Sequence, residues 1–242
     1  MYQKQTARGS LQEVCLNSRY LNSAERLVVY TPPSYSPLYS YPVIYIQDGE
    51  DYLSMGRCAS QLDQFFAERG HEEAIAVFLP VEKRLRQARY YPEGAAYAGY
   101  KRFVADEVVP YIDSHFATNP LAYGRTLLGE SLGGVVSLFL AFTYPHTFGQ
   151  IACQSAAVDE RLLDQLAALP GRYPLSVYLE VGKEETAVAT QRGSLNLLKA
   201  NDQLAAVLSG LGCDVSLHHF AGGHDWGAWQ ANLSRIFRHF LG

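Results

Sequence analysis

The sequence contains no long apolar run and no excess of positive charge. None of its apolar segments approaches the ~18 residues that suggest a membrane span, and its first fourteen residues have no apolar region typical of a secretory signal. The formal net charge of −4 provides no basic field that would hold nucleic acid. We therefore expect a cytoplasmic protein with neither a membrane nor a nucleic acid as its partner.

Cysteine is also scarce. The four cysteines, Cys15, Cys58, Cys153 and Cys213, lie far apart in the sequence, without a CxxC pair or the spacing of a metal site. Outside a secretory context we expect them to be reduced thiols that pack as small apolar side chains. Neither a metal nor any other cofactor is predicted.

The composition is that of a globular protein with a substantial core. Of the 242 residues, 48% are hydrophobic and 18% are charged. Chains below roughly 250 residues often keep one core, and no repeat, low-complexity tract or linker divides this sequence. We therefore predict one domain over residues 1–242.

Buried apolar runs alternate with amphipathic segments along the chain. Strands are predicted at 11–17, 26–30, 43–47, 74–80, 126–130, 149–155, 175–182 and 214–220, and helices at 56–69, 97–116, 132–144, 160–169, 194–211 and 226–241. Residues 81–94 are predicted to form a polar loop, and Pro110 is predicted to kink the helix that contains it. This order predicts an α/β fold with helices on both faces of a mostly parallel sheet, antiparallel at its N-terminal strands.

The segment Gly129-Glu130-Ser131-Leu132-Gly133 matches the pattern G-x-S-x-G. In this motif a serine stands at a sharp turn between a strand and a helix, and the glycines let the two elements approach closely. Here an apolar strand precedes the motif and an apolar helix follows it. We predict that Ser131 is a nucleophile exposed at the N-terminus of that helix, where developing negative charge is favoured.

A serine hydroxyl needs a base to take its proton. Among the seven histidines, His224 lies after the last predicted strand and before the last predicted helix. That is the place of the base in folds where the order along the chain is serine, acid, histidine. Two glycines before it permit a tight loop, and we predict that His224 is the general base.

The acid that orients the base is expected after the predicted strand 175–182. Glu184 and Glu185 both follow that strand and their spacing does not rank them, while Asp159 follows the preceding strand and is a further candidate.

An acyl-transfer intermediate also needs fixed N–H donors for its oxyanion. The N–H of Leu132 is one candidate, and the turn 48–50 is expected to supply the other.

Four segments carry a resemblance to a known family: YPVIYIQDGED, LLGESLGG, the strand ending in VGKEE, and GGHDW with Trp229 a turn later. Over nearly its whole length the chain resembles the esterase D-like family of α/β-hydrolases, in particular its enterochelin esterase and siderophore trilactone hydrolase branch. The resemblance implies a single-domain α/β-hydrolase, without the additional N-terminal domain of the larger enterochelin esterases. It implies a Ser-His-Glu triad of Ser131, His224 and Glu185, and it points to the N–H of Glu50 as the second oxyanion donor.

Several cations and tyrosines of the predicted loop 81–94 suit an anionic, aromatic substrate. We predict that Arg86, Arg89 and Tyr90 contact the substrate, together with Trp226 beside the base. The first hypothesis is a serine esterase that opens the ester bonds of a ferric catecholate siderophore. The alternatives are a general carboxylesterase for small acyl or aryl esters, including S-formylglutathione-like thioesters, and a catalytically silent binding protein with this fold.

Overall fold

The computed structural model describes residues 7–68 and 70–242. Its main sheet contains the strands β1 (Ser10–Ser18), β2 (Ser23–Thr31), β3 (Val43–Gln47), β4 (Ile75–Leu79), β5 (Arg125–Glu130), β6 (Gln150–Gln154), β7 (Ser176–Gly182) and β10 (Asp214–Phe220). A separate hairpin consists of β8 (Val188–Thr190) and β9 (Gly193–Leu195).

The main sheet has the strand order β1-β2-β4-β3-β5-β6-β7-β10. β1 pairs with β2 and β2 with β4 in antiparallel fashion, and every later pair is parallel. The predicted mostly parallel sheet with antiparallel N-terminal strands is therefore confirmed. Because the carboxyl ends of parallel strands meet at one edge, the turns after β3, β5, β7 and β10 lie on the same side of the molecule.

Helices connect the strands and cover the sheet. They are α1 (Gly49–Ser54), α2 (Cys58–Ala67), α3 (Lys83–Tyr90), α4 (Tyr97–Arg102), α5 (Val109–His115), α6 (Leu132–Thr143), α7 (Glu160–Ala167), α8 (Leu197–Gly210) and α9 (Trp226–Leu241). Within residues 7–68 and 70–242, none of these helices has the length and apolar character that a membrane span requires.

The alternation of side chains along the strands divides the core between the two faces of the sheet. In β3, Val43 and Tyr45 belong to a buried cluster that includes residues of α3 to α8, whereas Ile44 and Ile46 belong to a second cluster with residues of α1, α2 and α9. All five residues of β3 are buried, as expected for a strand covered by helices on both sides. Both faces of the sheet are therefore covered, as the sequence predicts.

The predicted polar loop 81–94 contains a helix instead, α3. One face of α3 is directed inward although most of its residues are charged or polar. Arg86, Arg89 and Tyr90 follow the i, i+3, i+4 spacing, and all three contact the protein interior. A helical face of this kind has no apolar periodicity, since its buried cations are neutralised by carboxylates from other elements. The sequence prediction of a polar loop is wrong for this reason.

Other helix boundaries also differ from the prediction. The predicted helix 97–116 is α4, a π-helical turn (Phe103–Val108) and α5, and this wider turn directly precedes the segment with Pro110, which has no N–H to donate. α8 begins three residues later than predicted, because Asn196 caps it by accepting from the N–H of Lys199 at 2.9 Å. The predicted end of the helix at Arg69 lies outside the described residues.

Candidate active site

Ser131 stands in the turn between β5 and α6. Its backbone has φ 52° and ψ −116°, a conformation that L-residues rarely adopt. The N–H of Ser131 donates to the carbonyl of Gln154 on β6 at 2.8 Å, which holds the turn against the neighbouring strand. A strained backbone that persists at one serine indicates that the surrounding structure holds it there.

Two glycines make this turn possible. A Cβ at Gly129 would lie 2.3 Å from the carbonyl carbon of Gly133, so strand and helix approach too closely for any side chain. A Cβ at Gly133 would in turn lie 2.8 Å from a carboxylate oxygen of Asp48. The glycines of the motif are therefore explained by close packing around the serine.

His224 lies in the loop between β10 and α9, within hydrogen-bonding distance of the serine. Its Nε2 is 3.0 Å from Ser131 Oγ, and its Nδ1 is 2.7 Å from Oε2 of Glu185. An ionised carboxylate only accepts hydrogen bonds, so Nδ1–H donates to Glu185 and leaves Nε2 free to accept the serine proton. The three side chains form one continuous hydrogen-bonded chain.

Glu185 is almost completely buried, at 1% exposure, whereas Glu184 is exposed. The second carboxylate oxygen of Glu185 accepts from Ser155 Oγ at 2.6 Å and from the N–H of Gly182 at 2.7 Å. Asp159 instead caps α7 and lies 3.3 Å from the guanidinium of Arg192. Of the three candidate acids, Glu185 is the one that meets the imidazole.

Backbone contacts between two loops hold this arrangement together. The N–H of Lys183 donates to the carbonyl of Phe220, and the N–H of Glu184 donates to the carbonyl of Gly222. Asp225 caps α9 by accepting from the N–H groups of the two residues after Trp226. The acidic residue beside the histidine therefore starts a helix and is not part of the hydrogen-bonded chain.

Two residues around Glu185 are not among the predicted site residues. Ser155, at the end of β6, has φ 52°, and its hydroxyl accepts from Nε1–H of Trp229 at 3.0 Å while it donates to Glu185. The Trp229 ring stands edge-on to the ring of His224, with centroids 4.8 Å apart. Trp229 has a signal in the sequence, its place one turn after GGHDW, whereas Ser155 has none.

A cavity of about 480 Å³ opens beside Ser131 and His224. Its lining includes three cations, Lys83, Arg86 and Arg192. The other lining residues are Gln87, Leu132, Ala157, Ala189, Thr190 and Gln191, several of them from the β8–β9 hairpin. The serine therefore faces a concave site of the size of a small-molecule pocket.

The family model described as "Putative esterase" matches residues 18–240 of the chain. The chain belongs to this esterase family. The uncharacterized protein YjcH of Bacillus subtilis (strain 168) is 37% identical over 235 residues, which cover 96% of this chain and 98% of YjcH. The predicted family resemblance is thus confirmed, and the chain is an esterase.

Solved structures show the same fold. The enterobactin esterase FES from Shigella flexneri superposes with a TM-score of 0.81 at 20% identity, covering 96% of the esterase described here but only 58% of that chain. The S-formylglutathione hydrolase FrmB from Staphylococcus aureus superposes with a TM-score of 0.69 at 14% identity, covering 96% of this esterase and 99% of that chain. These similarities confirm the predicted α/β-hydrolase fold.

The two predicted oxyanion donors of the esterase occupy the first positions of two helices. Leu132 is the first residue of α6 and Glu50 the second residue of α1, and such N–H groups have no partner within their own helix. Leu132 lines the cavity with Ser131, whereas Glu50 lines an adjacent cavity of about 500 Å³. Both cavities share Lys83, Arg86 and Gln191 as lining residues.

The predicted substrate contacts of the esterase fall in different environments. Arg86 lines the cavity, but Arg89 is 6% exposed and makes two hydrogen bonds to Glu25, at 2.7 and 2.8 Å. Tyr90 is fully buried, and its hydroxyl accepts from the N–H of Asp48 at 3.1 Å. Arg89 and Tyr90 therefore do not face the cavity, because internal partners hold them inside the protein.

Trp226 packs away from the lining of the cavity, edge-on to Tyr52 with ring centroids 4.9 Å apart. Arg192, in the turn of the β8–β9 hairpin, lines the cavity instead. The Arg192 guanidinium lies 4.4 Å from the centre of the Tyr91 ring and pairs with Asp159. The sequence carries no periodic signal for this short hairpin, which is why Arg192 is missing from the prediction.

Proposed function

We propose that the esterase hydrolyses carboxyl esters through an acyl-enzyme on Ser131. The observation that carries this proposal is the hydrogen-bonded chain from Ser131 Oγ through His224 to Glu185. This is the arrangement that activates a serine nucleophile, since the imidazole accepts the hydroxyl proton and the buried carboxylate stabilises the imidazolium that results.

In the first half of the reaction, Ser131 Oγ bonds to the ester carbonyl carbon while its proton moves to His224 Nε2. The carbonyl oxygen becomes an oxyanion and accepts hydrogen bonds from the N–H groups of Leu132 and Glu50. The ester C–O bond then breaks, and His224 returns the proton to the departing alkoxide. Water repeats these steps on the acyl-enzyme, which releases the acid and restores the serine hydroxyl.

The test is hydrolysis of p-nitrophenyl acetate by the intact protein and by Ser131→Ala and His224→Ala. Each variant is expected to lower kcat/KM by about 10⁴-fold or more, because the nucleophile and its base act as one unit. The double variant should be little worse than either single one. No hydrolysis of p-nitrophenyl acetate by the intact protein, or a background rate that is unchanged in Ser131→Ala, would instead support the alternative of a catalytically silent binding protein.

For the substrate we propose an anionic ester, with a ferric catecholate trilactone as the first candidate. Lys83 and Arg192 in the cavity lining suit such a substrate, because ammonium and guanidinium groups pair with anions and a guanidinium also stacks on aromatic rings. The fold similarity to an enterobactin esterase supports this choice. A cytoplasmic location, which would allow iron to be released from an imported complex, stays a prediction.

The siderophore hypothesis and the alternative of a general carboxylesterase predict different substrate preferences. The test compares kcat/KM for a ferric catecholate trilactone with kcat/KM for p-nitrophenyl acetate. We expect a markedly higher value for the trilactone, and a selective loss of that preference in Lys83→Glu. Arg84→Gln is the matched control, because Arg84 is an exposed residue of the same helix that pairs with Glu82. An equal or higher value for the simple ester, or for a thioester of the S-formylglutathione type, would favour the general esterase.

A further inference from the structure

Arg86 binds two carboxylates that belong to different turns of the site. Its Nε and Nη2 each lie 2.9 Å from an oxygen of Asp48, a bidentate pair, and Nη2 also lies 2.6 Å from Oε1 of Glu130. The same Nη2 is 3.2 Å from the backbone carbonyl of Glu130. A planar guanidinium with several donors is suited to this arrangement, which a single ammonium group does not reproduce.

Each partner of Arg86 directly adjoins one part of the proposed catalytic machinery. Glu130 is the residue before Ser131, and Asp48 comes two residues before Glu50, whose N–H is the proposed second oxyanion donor. The strands that lead to these two turns, β5 and β3, are neighbours in the sheet. Arg86 reaches both turns from α3, so one side chain joins three elements of the fold.

The turn at Asp48 has a left-handed backbone. Asp48 has φ 50° and ψ 41°, a region in which residues other than glycine are uncommon and which aspartate and asparagine tolerate best. Its N–H donates to the hydroxyl of Tyr90, and its carboxylate packs against the backbone of α6 at Gly133. Contacts from α3 and α6 thus fix the turn in this conformation.

The charges of this cluster depend on one another. Burial raises the pKa of Glu130 to about 8 and raises the pKa of Asp48, while the Arg86 cation opposes both shifts. The two carboxylates are 3% and 8% exposed, so little solvent screens them. Without the guanidinium, nothing would offset burial and the mutual effect of the two acids, so the protonated form would be favoured further and the ion pairs that join the two turns would be lost.

We propose that Arg86 is a positioning residue that holds the 48–50 turn against the nucleophile turn, so that the N–H groups of Glu50 and Leu132 point at one oxyanion. This inference rests on the proposed acyl-enzyme mechanism. It also reassigns Arg86, which the sequence suggests as an anion contact for the substrate. The two roles differ in their kinetics, because a positioning residue acts on every ester and an anion contact acts on charged esters.

The experiment compares Arg86→Gln and Arg86→Lys with the intact protein, on p-nitrophenyl acetate and on the anionic mono-p-nitrophenyl succinate. Loss of one oxyanion donor typically lowers kcat by about 10²- to 10³-fold. We expect Arg86→Gln to lower kcat by this factor on both esters, with little change in KM. The kcat of Arg86→Lys should lie between those of the intact protein and Arg86→Gln. The matched control Arg84→Gln should behave as the intact protein.

The opposite pattern would overturn the proposal: a higher KM for the succinate ester alone, with kcat on the acetate unchanged. If Arg86→Gln does not fold, Asp48→Asn provides the same test, because asparagine tolerates the left-handed conformation and keeps one acceptor. Asp48→Asn should lower kcat on the neutral ester, and an unchanged kcat would contradict a positioning role.

A fluorophosphonate probe separates this proposal from the mechanism on which it rests. Attack by Ser131 Oγ forms a P–O bond and breaks the P–F bond, so that fluoride leaves and the hydroxyl proton passes to His224 Nε2. The phosphonyl oxygen then occupies the oxyanion position. If the intact protein is not labelled at Ser131, the proposed mechanism fails. If the intact protein and Arg86→Gln are labelled at the same rate, the mechanism stands and the positioning role fails.

Discussion

Ser131 is flanked by two buried acidic clusters that are held in opposite ways. On one side, neutral donors surround Glu185: the hydroxyl of Ser155, the N–H of Gly182 and the imidazole of His224. On the other side, a permanent cation, Arg86, holds Asp48 and Glu130. The first cluster contains one group that can gain and lose a proton, the imidazole, whereas the second is built around a guanidinium that keeps its proton at any working pH.

This difference matches what each side has to do in the proposed mechanism. The imidazole must gain and lose a proton in every cycle, so the acid beside it needs partners that leave its charge free to stabilise the imidazolium. The 48–50 turn must keep one geometry throughout the reaction. The planar guanidinium of Arg86, with its fixed charge and rigid set of donors, suits this requirement better than a group that changes its protonation. The predictions below test this contrast, from the largest expected effect to the smallest.

The strongest test removes the charge of Glu185. Glu185→Gln keeps the size of the side chain but favours the wrong tautomer of His224, and a change of this kind lowers kcat by about 10⁴-fold in a serine protease. We expect a loss of about 10³- to 10⁴-fold in kcat on p-nitrophenyl acetate. The matched control is Glu184→Gln at the exposed neighbour, which should keep full activity; equal losses in the two variants would contradict the assignment.

A second test concerns Glu180, a buried carboxylate on β7 with mainly neutral donors. It accepts from Gln154 Nε2 at 2.7 Å and from the hydroxyl of Tyr178 at 3.0 Å, and burial raises its pKa from 4.5 to about 7. The folded protein therefore binds this proton more tightly than the unfolded chain does. Its contribution to the free energy of unfolding is full below about pH 4.5 and is lost as the pH rises to about 7, by about 3 kcal/mol in total.

Urea unfolding of the intact protein and of Glu180→Gln, measured between pH 4.5 and 8, checks this prediction. The variant lacks the titrating group, so the free energy of unfolding of Glu180→Gln relative to the intact protein should rise with pH across this window. In the control Glu184→Gln the difference from the intact protein should stay constant. A constant difference for Glu180→Gln as well would show that neutral donors stabilise this carboxylate in its ionised form.

The smallest effect is expected at Ser155. Ser155→Ala removes one donor from Glu185, and a hydrogen bond to a charged group is worth roughly 1.5–3 kcal/mol, so we expect a loss in kcat/KM of about 10- to 150-fold. Because Ser155 contacts Glu185 and does not line the cavity, the loss should fall on kcat and leave KM nearly unchanged. A loss that falls on KM instead would contradict this expectation.

Trp229→Phe provides the matched comparison for Ser155. It keeps a ring against His224 but removes the N–H that donates to Ser155. Because Trp229 acts on Glu185 only through the hydroxyl of Ser155, kcat should fall less than in Ser155→Ala. A larger loss of kcat in Trp229→Phe would assign the effect to the packing of the tryptophan against the imidazole.

Much of the fold follows from local patterns in the sequence. The strands around Ile44, Val77 and Leu128 are apolar runs that no helix-period face interrupts, and their alternation with helices predicts the parallel sheet. Two of the failures share a physical cause. In α3 and in the β8–β9 hairpin, charged residues are buried or held by partners distant in the sequence, such as Glu25 for Arg89 and Asp159 for Arg192.

The sequence by itself determined the turn chemistry: three glycines around a serine between a strand and a helix, and a histidine in a tight loop before the last helix. Those are local requirements of backbone sterics, so adjacent residues reveal them. Only the tertiary structure decided which of two neighbouring glutamates meets the imidazole, and that Arg86 faces two carboxylates. Such contacts join residues 38 to 44 positions apart, and their geometry depends on how the loops of four strands pack at one edge of the sheet.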